Sequence, residues 1–288
     1  MPSMIELIKE LRDRTGAGMM DCKKALEATS SDIDKAIDWL REKGIAKAQA
    51  KSSRIAAEGL AGVLVEGNKA IIVEVNCETD FVAKGEKFHA LVDDSAKATL
   101  AKGYATIEEA KTGCAQLYTD ATVSMGEKLD YRRFEIVSKE AGNGFGSYIH
   151  MGGKIATLVV IEKADEELSK GLAMHIAANA PKYVSEADIP AAEIAHEKAI
   201  ALETMKNDPK MAGKPEAMLN GIADGKVKKL LSESVLGAQV YLLDGEKTVA
   251  QVLKEKGNSV VKFVRFAVGE GIEKRQDDFA AEVMSQMK

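Results

Sequence analysis

An α+β fold is predicted by three features of this 288-residue sequence: a helix-rich beginning, a hairpin-then-helix pattern that occurs twice, and a return to helical spacing between residues 190 and 233. Apolar residues at 45% and charged residues at 30% suit an ordinary soluble globular chain. The length leaves room for two or three packed units with their own cores.

Taken in order, the first 45 residues predict three short helices. Ser3 and Glu6 stand at capping-box spacing, and Met4, Leu7, Ile8 and Leu11 form one apolar stripe. Thr15-Gly-Ala-Gly18 interrupts that helix. A second runs from about Met19 to Thr29 with Cys22, Ala25 and Leu26 inward. A third begins near Ser31 or Asp32, places Ile33, Ala36, Ile37 and Leu40 on one face, and is expected to stop at Gly44. So small a unit has almost no space for a catalytic cleft, and docking is its expected use. The stretch that follows carries Arg41, Lys43, Lys47, Lys51 and Arg54 against one acid, Glu42. Such a run is ordinarily a solvated linker or helix face. RNA contact is the alternative, and the lack of aromatic residues for base stacking counts against it.

The middle of the chain repeats a motif. Gly62 to Val75 reads as a β-hairpin turning at Gly67-Asn68, and Gly146 to Ile161 as another turning at Gly152-Gly153. Each is followed by an apolar-periodic helix, Phe88 to Leu100 and Leu168 to Ala178, which suggests a duplicated core with antiparallel sheets. An extra strand, Tyr131 to Val137, precedes the second unit. From Pro190 to about Glu233 a helical hairpin is inserted, with Ile194, Leu202 and Met205 on one face and Leu219, Ala223, Val227 and Leu230 on the other. Strand-like sequence resumes at Gln239 to Leu243 and at Ser259 to Val268, and a short amphipathic helix with Phe279, Val283 and Met287 closes the chain.

Forty basic and 45 acidic residues leave a net charge of -5, which argues against nucleic acid as the main partner. Cys22, Cys77 and Cys114 lie far apart with no Cys-x-x-Cys or Cys/His cluster, so neither a disulfide framework nor a zinc site is expected, and a reducing compartment is the natural reading. The N-terminus carries Glu6, Glu10 and Asp13 where a signal peptide needs an uninterrupted apolar stretch. No stretch approaches the ~18 apolar residues that span a membrane, and a cytoplasmic location follows. No Gly-x4-Gly-Lys-Ser/Thr loop, His-Glu-x-x-His or Gly-x-Ser-x-Gly motif occurs, so no catalytic residue and no cofactor is expected. Gly142-Asn-Gly-Phe-Gly146 precedes a strand and reads as a turn, and His175 reads as a satisfied core residue.

One segment stands apart. Asn76 to Lys84 joins strand to helix with more residues than the equivalent join in the second unit, and it holds an acid beside a large aromatic, Asp80-Phe81. Phe81 can cap the core and Asp80 the helix, or the pair can present a phenyl anchor to a partner. Composition does not choose between them.

A resemblance does. Thr15 to Leu26, Glu74 to Ala83, Ala173 to Ala178 and Phe263 to Lys274 resemble, in order and over nearly the full length, the landmark motifs of the elongation factor Ts family. The resemblance implies a non-enzymatic guanine-nucleotide exchange factor for elongation factor Tu in protein biosynthesis. Thr79, Asp80, Phe81 and Val82 match the family element that displaces magnesium from that GTPase. Arg12, Met19, Met20 and Lys23 match docking positions of the N-terminal, UBA-like three-helix unit, and Met125 and His150 match contact positions in the core. The inserted hairpin resembles the family's dimerisation module, and Asp277 to Met287 its C-terminal docking helix. Glu78 stands where the family often carries Gln, and Ala156 where Gly is usual. The expected division is 1–55 for the docking unit and basic linker, 56–140 for the first core half, and 141–180 with 235–268 for the second. The hairpin takes 181–234 and a C-terminal docking module 269–288. An RNA-binding translation factor, motivated by the basic run and by Arg132-Arg133, and an enzyme with an unrecognised α+β active site are the rival readings.

Overall fold

Ser3 and Glu6 set the first helix. In the computed structural model, which describes residues 2–208, 211 and 214–273, the Ser3 hydroxyl accepts from the Glu6 N–H while the Glu6 carboxylate accepts from the Ser3 N–H at 2.7 Å. Two orphan donors of the first turn are thereby satisfied. Helix α1 (Met4–Thr15) ends on Gly16 in the left-handed conformation, followed by α2 (Met19–Ala28) and α3 (Ile33–Ala50). Leu7, Leu11, Cys22, Leu26, Ala36 and Leu40 make their shared core.

The third helix does not stop at Gly44. It continues to Ala50, because the missing side chain lets α3 lie against α7 (Ala115–Met125). A Cβ at Gly44 would stand 2.5 Å from Val123 Cγ2 and 3.4 Å from the Thr119 carbonyl oxygen. Glycine inside an exposed helix costs about 1 kcal/mol against alanine; here close packing reverses the preference. Gly44→Ala is therefore expected to lower the melting temperature, and a gain in thermal stability would show that the contact yields.

Strands β1 (Glu58–Glu66) and β2 (Lys69–Cys77) pair antiparallel from Glu58↔Cys77 to Glu66↔Lys69, leaving the expected two-residue turn at Gly67-Asn68. Only Gly67 has a positive φ, 60°, as a type II′ turn requires at its first central position. After β2 come α4 (Asp80–Ala83), α5 (Glu86–Lys102), α6 (Ile107–Gly113) and α7, and then β3 (Asp130–Ser138). The strand read as a separate one ahead of the second unit is this β3. It pairs antiparallel with β2 and completes a sheet of order β1-β2-β3. Ile71, Val73, Val75 and Cys77 form a core with Phe88, Leu91 and Val92 of α5. Helices α6 and α7 were not legible, since Thr, Val and Tyr dilute the helical signal of α7.

Strands β4 (Gly144–His150), β5 (Ile155–Ile161) and β6 (Val260–Ala267) form a second antiparallel sheet of order β4-β5-β6. Its third strand again arrives after the helices, so the duplication extends beyond the two hairpins. The β4–β5 connection is longer than two residues: Met151, Gly152 and Gly153 all take positive φ. Helix α8 (Glu166–Asn179) follows, then α9 (Ala191–Lys206) and α10 (Glu216–Ser232), then α11 (Val249–Glu255). The helical hairpin buries Met205, Ala223, Val227 and Leu231, whereas Leu230 is exposed and does not belong to the face assigned to it. Gln239 to Leu243 is not a strand. Residues 236–238 form a 3-10 turn, Val240 makes one isolated bridge to Thr248, and the Tyr241 ring packs into the core of α8 beside Gly171. The helix expected over Asp277 to Met287 lies outside the described residues.

His175 on α8 is buried and satisfied. The Leu242 N–H donates to its Nδ1 at 3.1 Å, which leaves Nε2 to donate to Gln239 Oε1 at 2.9 Å, so the ring is neutral. Burial lowers its proton affinity below the ordinary histidine value, partly offset by the Gln239 hydrogen bond. The unfolded chain therefore takes up the extra proton first as pH falls. This contribution to stability is complete above the ordinary pKa of about 6.5 and is lost progressively below it. Between about pH 7 and pH 5 the urea midpoint should fall less steeply for His175→Gln than for the parent; equal slopes would remove His175 as the cause.

Candidate functional site

The join between β2 and α5 is built around a four-residue helix. Thr79, in extended backbone, caps α4 by accepting from the Val82 N–H at 3.4 Å. Asp80 is thus in the first turn and not the cap. Four residues make barely one turn, so Val82 and Ala83 face the β2–α5 core while the neighbouring Phe81 points away from it. Phe81 is 84% exposed. Full burial of such a ring is worth ~1.5–3 kcal/mol, and this fold forgoes nearly all of it. Of the two readings of the Asp80-Phe81 pair, the one that makes Phe81 a core residue is excluded by its position.

The turn is braced from a distant part of the chain. Gly126, at φ 73°, ends α7 and turns the chain so that Glu127 and Lys128 run past the loop. Glu127 Oε2 accepts from the Glu78 and Thr79 N–H groups, each at 3.0 Å, and Oε1 from the Thr79 hydroxyl at 2.5 Å. Glu78 reciprocates, its Oε1 accepting from the Lys128 N–H at 2.6 Å. Arg54, just beyond α3, reaches Glu78 Oε2 at 3.0 Å, and the Lys128 ammonium donates to the Ser52 and Arg54 carbonyls, each at 2.7 Å. Burial raises the proton affinity of Glu78, but the Lys128 and Arg54 hydrogen bonds outweigh it and hold the carboxyl below its ordinary range. The Lys84 ammonium, 2.7 Å from Asp80, lowers the Asp80 carboxyl in the same sense. Beneath the turn, burial pushes the Cys77 thiol up to about 12, which makes it inert.

The remaining predicted positions differ in exposure. Arg12, in the last turn of α1, is exposed, as are Met19 and Met20 at 58% and 61% in the first turn of α2. Lys23 lies one turn further on the same helix face and pairs with Glu27 at 3.7 Å. Met125 is only partly exposed and packs against the β2–α5 core, so it offers an edge and not a free side chain. His150 ends β4 between two exposed apolar residues, Ile149 and Met151. All ten predicted positions fall within one compact unit. Sequence reasoning missed Glu127 and Lys128, which no local pattern marks. It also missed Met151, whose positive φ of 49° holds an exposed apolar side chain beside His150.

The described members of the basic run, and the Arg132-Arg133 pair, are engaged within the chain. Arg41 pairs with Asp38 and Asp120, Lys43 lies over the Trp39 ring, Lys51 donates to the Gly126 carbonyl, and Arg54 pairs with Glu78. Arg132 and Arg133 both bind the buried Glu74. These side chains are not aligned as a free track for a phosphate backbone. In the other compact unit a groove of about 850 Å³ is lined by Tyr183, Val184, Leu253 and Phe263 among others, with no histidine or cysteine. An exposed phenyl beside a carboxylate on a braced turn can act by contact with another molecule.

Comparison with known proteins agrees with the motifs. The family model described as Elongation factor TS matches residues 78–270. Elongation factor Ts of Acholeplasma laidlawii (strain PG-8A) is 48% identical over 288 residues, covering 98% of this chain and 97% of that protein. Elongation factor Ts of Lactiplantibacillus plantarum (strain ATCC BAA-793 / NCIMB 8826 / WCFS1) is 47% identical over 287 residues, with the same coverage.

Proposed function

The chain belongs to the elongation factor Ts family, guanine-nucleotide exchange factors for elongation factor Tu in translation elongation, and we propose that its Thr79–Val82 turn is the part that drives nucleotide release. The observation that carries this is Phe81, a large apolar side chain held out of its own core on a braced turn. The phenyl ring enters the GTPase behind its phosphate-binding region and shifts backbone donors there, while Asp80 repels the phosphates and the magnesium ion bridging them is lost. Losing that ion removes the largest local positive charge on the nucleotide.

Exchange by this route is differential binding. The factor binds nucleotide-free elongation factor Tu more tightly than the loaded form, and nucleotide weakens factor binding by the same ratio as factor weakens nucleotide binding. Arg12, Met19, Met20 and Lys23 on the N-terminal helices supply anchoring energy, with Met125 and His150 as further contacts. The exposed apolar residues Ile200, Met218 and Leu230 of the α9–α10 hairpin serve a homodimer contact. The working location is the cytoplasm, where translation proceeds.

The test is release of a labelled guanine nucleotide from purified elongation factor Tu. Substoichiometric factor is expected to accelerate it, and an unchanged rate would overturn the proposal. In the same assay Met20→Ala should weaken association by ~1–2 kcal/mol, as for an interface anchor, with the rate at saturating factor near that of the parent. A rate that saturation cannot restore would show that the N-terminal unit takes part in exchange itself.

A further inference from the structure

A side chain that pushes on a partner transmits force only if its own backbone does not recoil. Helix α4 has four residues, far too few to be stable alone, since even ~12-residue helices are marginal in water. Its C-terminal half is pinned by Val82 and Ala83 in the core. Its N-terminal half, the side that leads into Asp80 and Phe81, is held at residues 78 and 79, and the Glu127 carboxylate accepts three of the hydrogen bonds made there. Two of those donors are backbone N–H groups that have no helical partner, because they precede the first turn. Without Glu127 they would have to find water, and the bond from the Lys128 N–H to Glu78 would be left to tie the turn to the end of α7.

Resting on the reading of Thr79–Val82 as the exchange element, we infer that Glu127 is a positioning residue for nucleotide exchange, holding the backbone at Glu78 and Thr79 so that Phe81 keeps its outward direction under load. Lys128 and Glu78 complete the brace from the opposite side. The brace continues to the end of α3, where Lys51 donates to the Gly126 carbonyl and Arg54 pairs with Glu78. Docking through α1–α3 and the thrust of Phe81 are thus tied to one cluster of hydrogen bonds. Chemistry separates the available substitutions. Glutamine at position 127 still presents one oxygen to both N–H groups, and its amide can donate to the Thr79 hydroxyl. Aspartate keeps the charge but withdraws the acceptors by one methylene. Alanine removes them.

The experiment measures the exchange rate at saturating factor and the factor concentration giving half that rate. It uses the parent, Glu127→Ala, Glu127→Asp, Glu127→Gln, Phe81→Ala and the Phe81→Ala/Glu127→Ala pair, with thermal melts of each. Glu127→Ala and Glu127→Asp should lower the saturated rate roughly tenfold, about 1.4 kcal/mol, while the half-saturating concentration moves less than about twofold. Glu127→Gln should restore the rate to within about twofold of the parent. Because Glu127 acts through Phe81, the double variant should be no slower than Phe81→Ala alone, a fully non-additive cycle. If the alanine variant does not fold, the charge-preserving aspartate variant decides. A slow Phe81→Ala beside a normal Glu127→Asp, or losses that add in the double variant, would overturn the positioning role and leave the exchange element standing. A Phe81→Ala factor with normal exchange would remove the exchange element, and this inference with it.

Discussion

Phe81→Ala is expected to slow nucleotide release from elongation factor Tu at least tenfold and to leave the factor's melting temperature nearly unchanged. The two halves of this expectation come from one fact, the 84% exposure of the ring. A buried phenylalanine truncated to alanine loses ~3–5 kcal/mol of stability, through transfer and cavity terms together. A ring that is already in water has little burial to lose, so truncation should stay within the ±0.5 kcal/mol typical of surface changes. Tenfold in rate corresponds to about 1.4 kcal/mol of lost transition-state stabilisation. Raising magnesium should slow the variant further if loss of the ion is the step the turn assists. Melts and release rates on one pair of proteins decide it. A destabilised variant with a normal rate would mean that Phe81 is a packing residue and that exchange is driven from elsewhere.

Glu74→Ala is expected to produce the opposite pattern, a large loss of stability, because the carboxylate is fully buried between two arginines. Arg132 Nη1 lies 2.8 Å from Oε1, Arg133 Nε 2.6 Å from Oε2, and the Gly269 N–H donates to Oε1 at 2.9 Å. Arg133 also stacks on the Phe266 ring at 4.3 Å and donates to the Ala267 carbonyl at 3.1 Å. Removing one partner of a buried pair costs ~3–5 kcal/mol, because the remaining charges stay desolvated. The arginine side chains retain 22% and 32% of their exposure, so partial rehydration puts the expected loss at the low end, about 3 kcal/mol. Urea unfolding measures it. Glu74→Gln should fall between, since a neutral amide keeps one acceptor but loses the charge. An unchanged midpoint for the alanine variant would show that the arginines are fully rescued by water.

Arg132 and Arg133 also mark where reading a sequence reaches its end. Adjacent arginines on a strand look like an RNA contact until Glu74, the register partner of Arg133 on β2, is found paired with both of them. Charge totals cannot reveal this, because they do not say which charges meet. Gly44 is a similar case. Its helix-stopping tendency is a local property, overridden by the approach of Thr119 and Val123 from a helix much later in the chain.

What the sequence determined by itself is whatever acts over a few residues. The Ser3/Glu6 cap, the Gly67-Asn68 turn, the two hairpin-then-helix units and the antiparallel helix pair follow from periods of 2 and 3.6 and from the conformational freedom of glycine. The motif spanning Thr79 to Val82 was likewise legible, as a run of neighbouring residues. Tertiary structure alone decided that β3 joins the first sheet, that Phe81 stands outside the core while Val82 and Ala83 enter it, and that Glu127 holds the turn. The physical reason is separation. The bonds from Glu127 span 48 and 49 positions and the one from Gly269 to Glu74 spans 195, and a hydrogen bond requires donor and acceptor within about 3 Å in space whatever their distance along the chain.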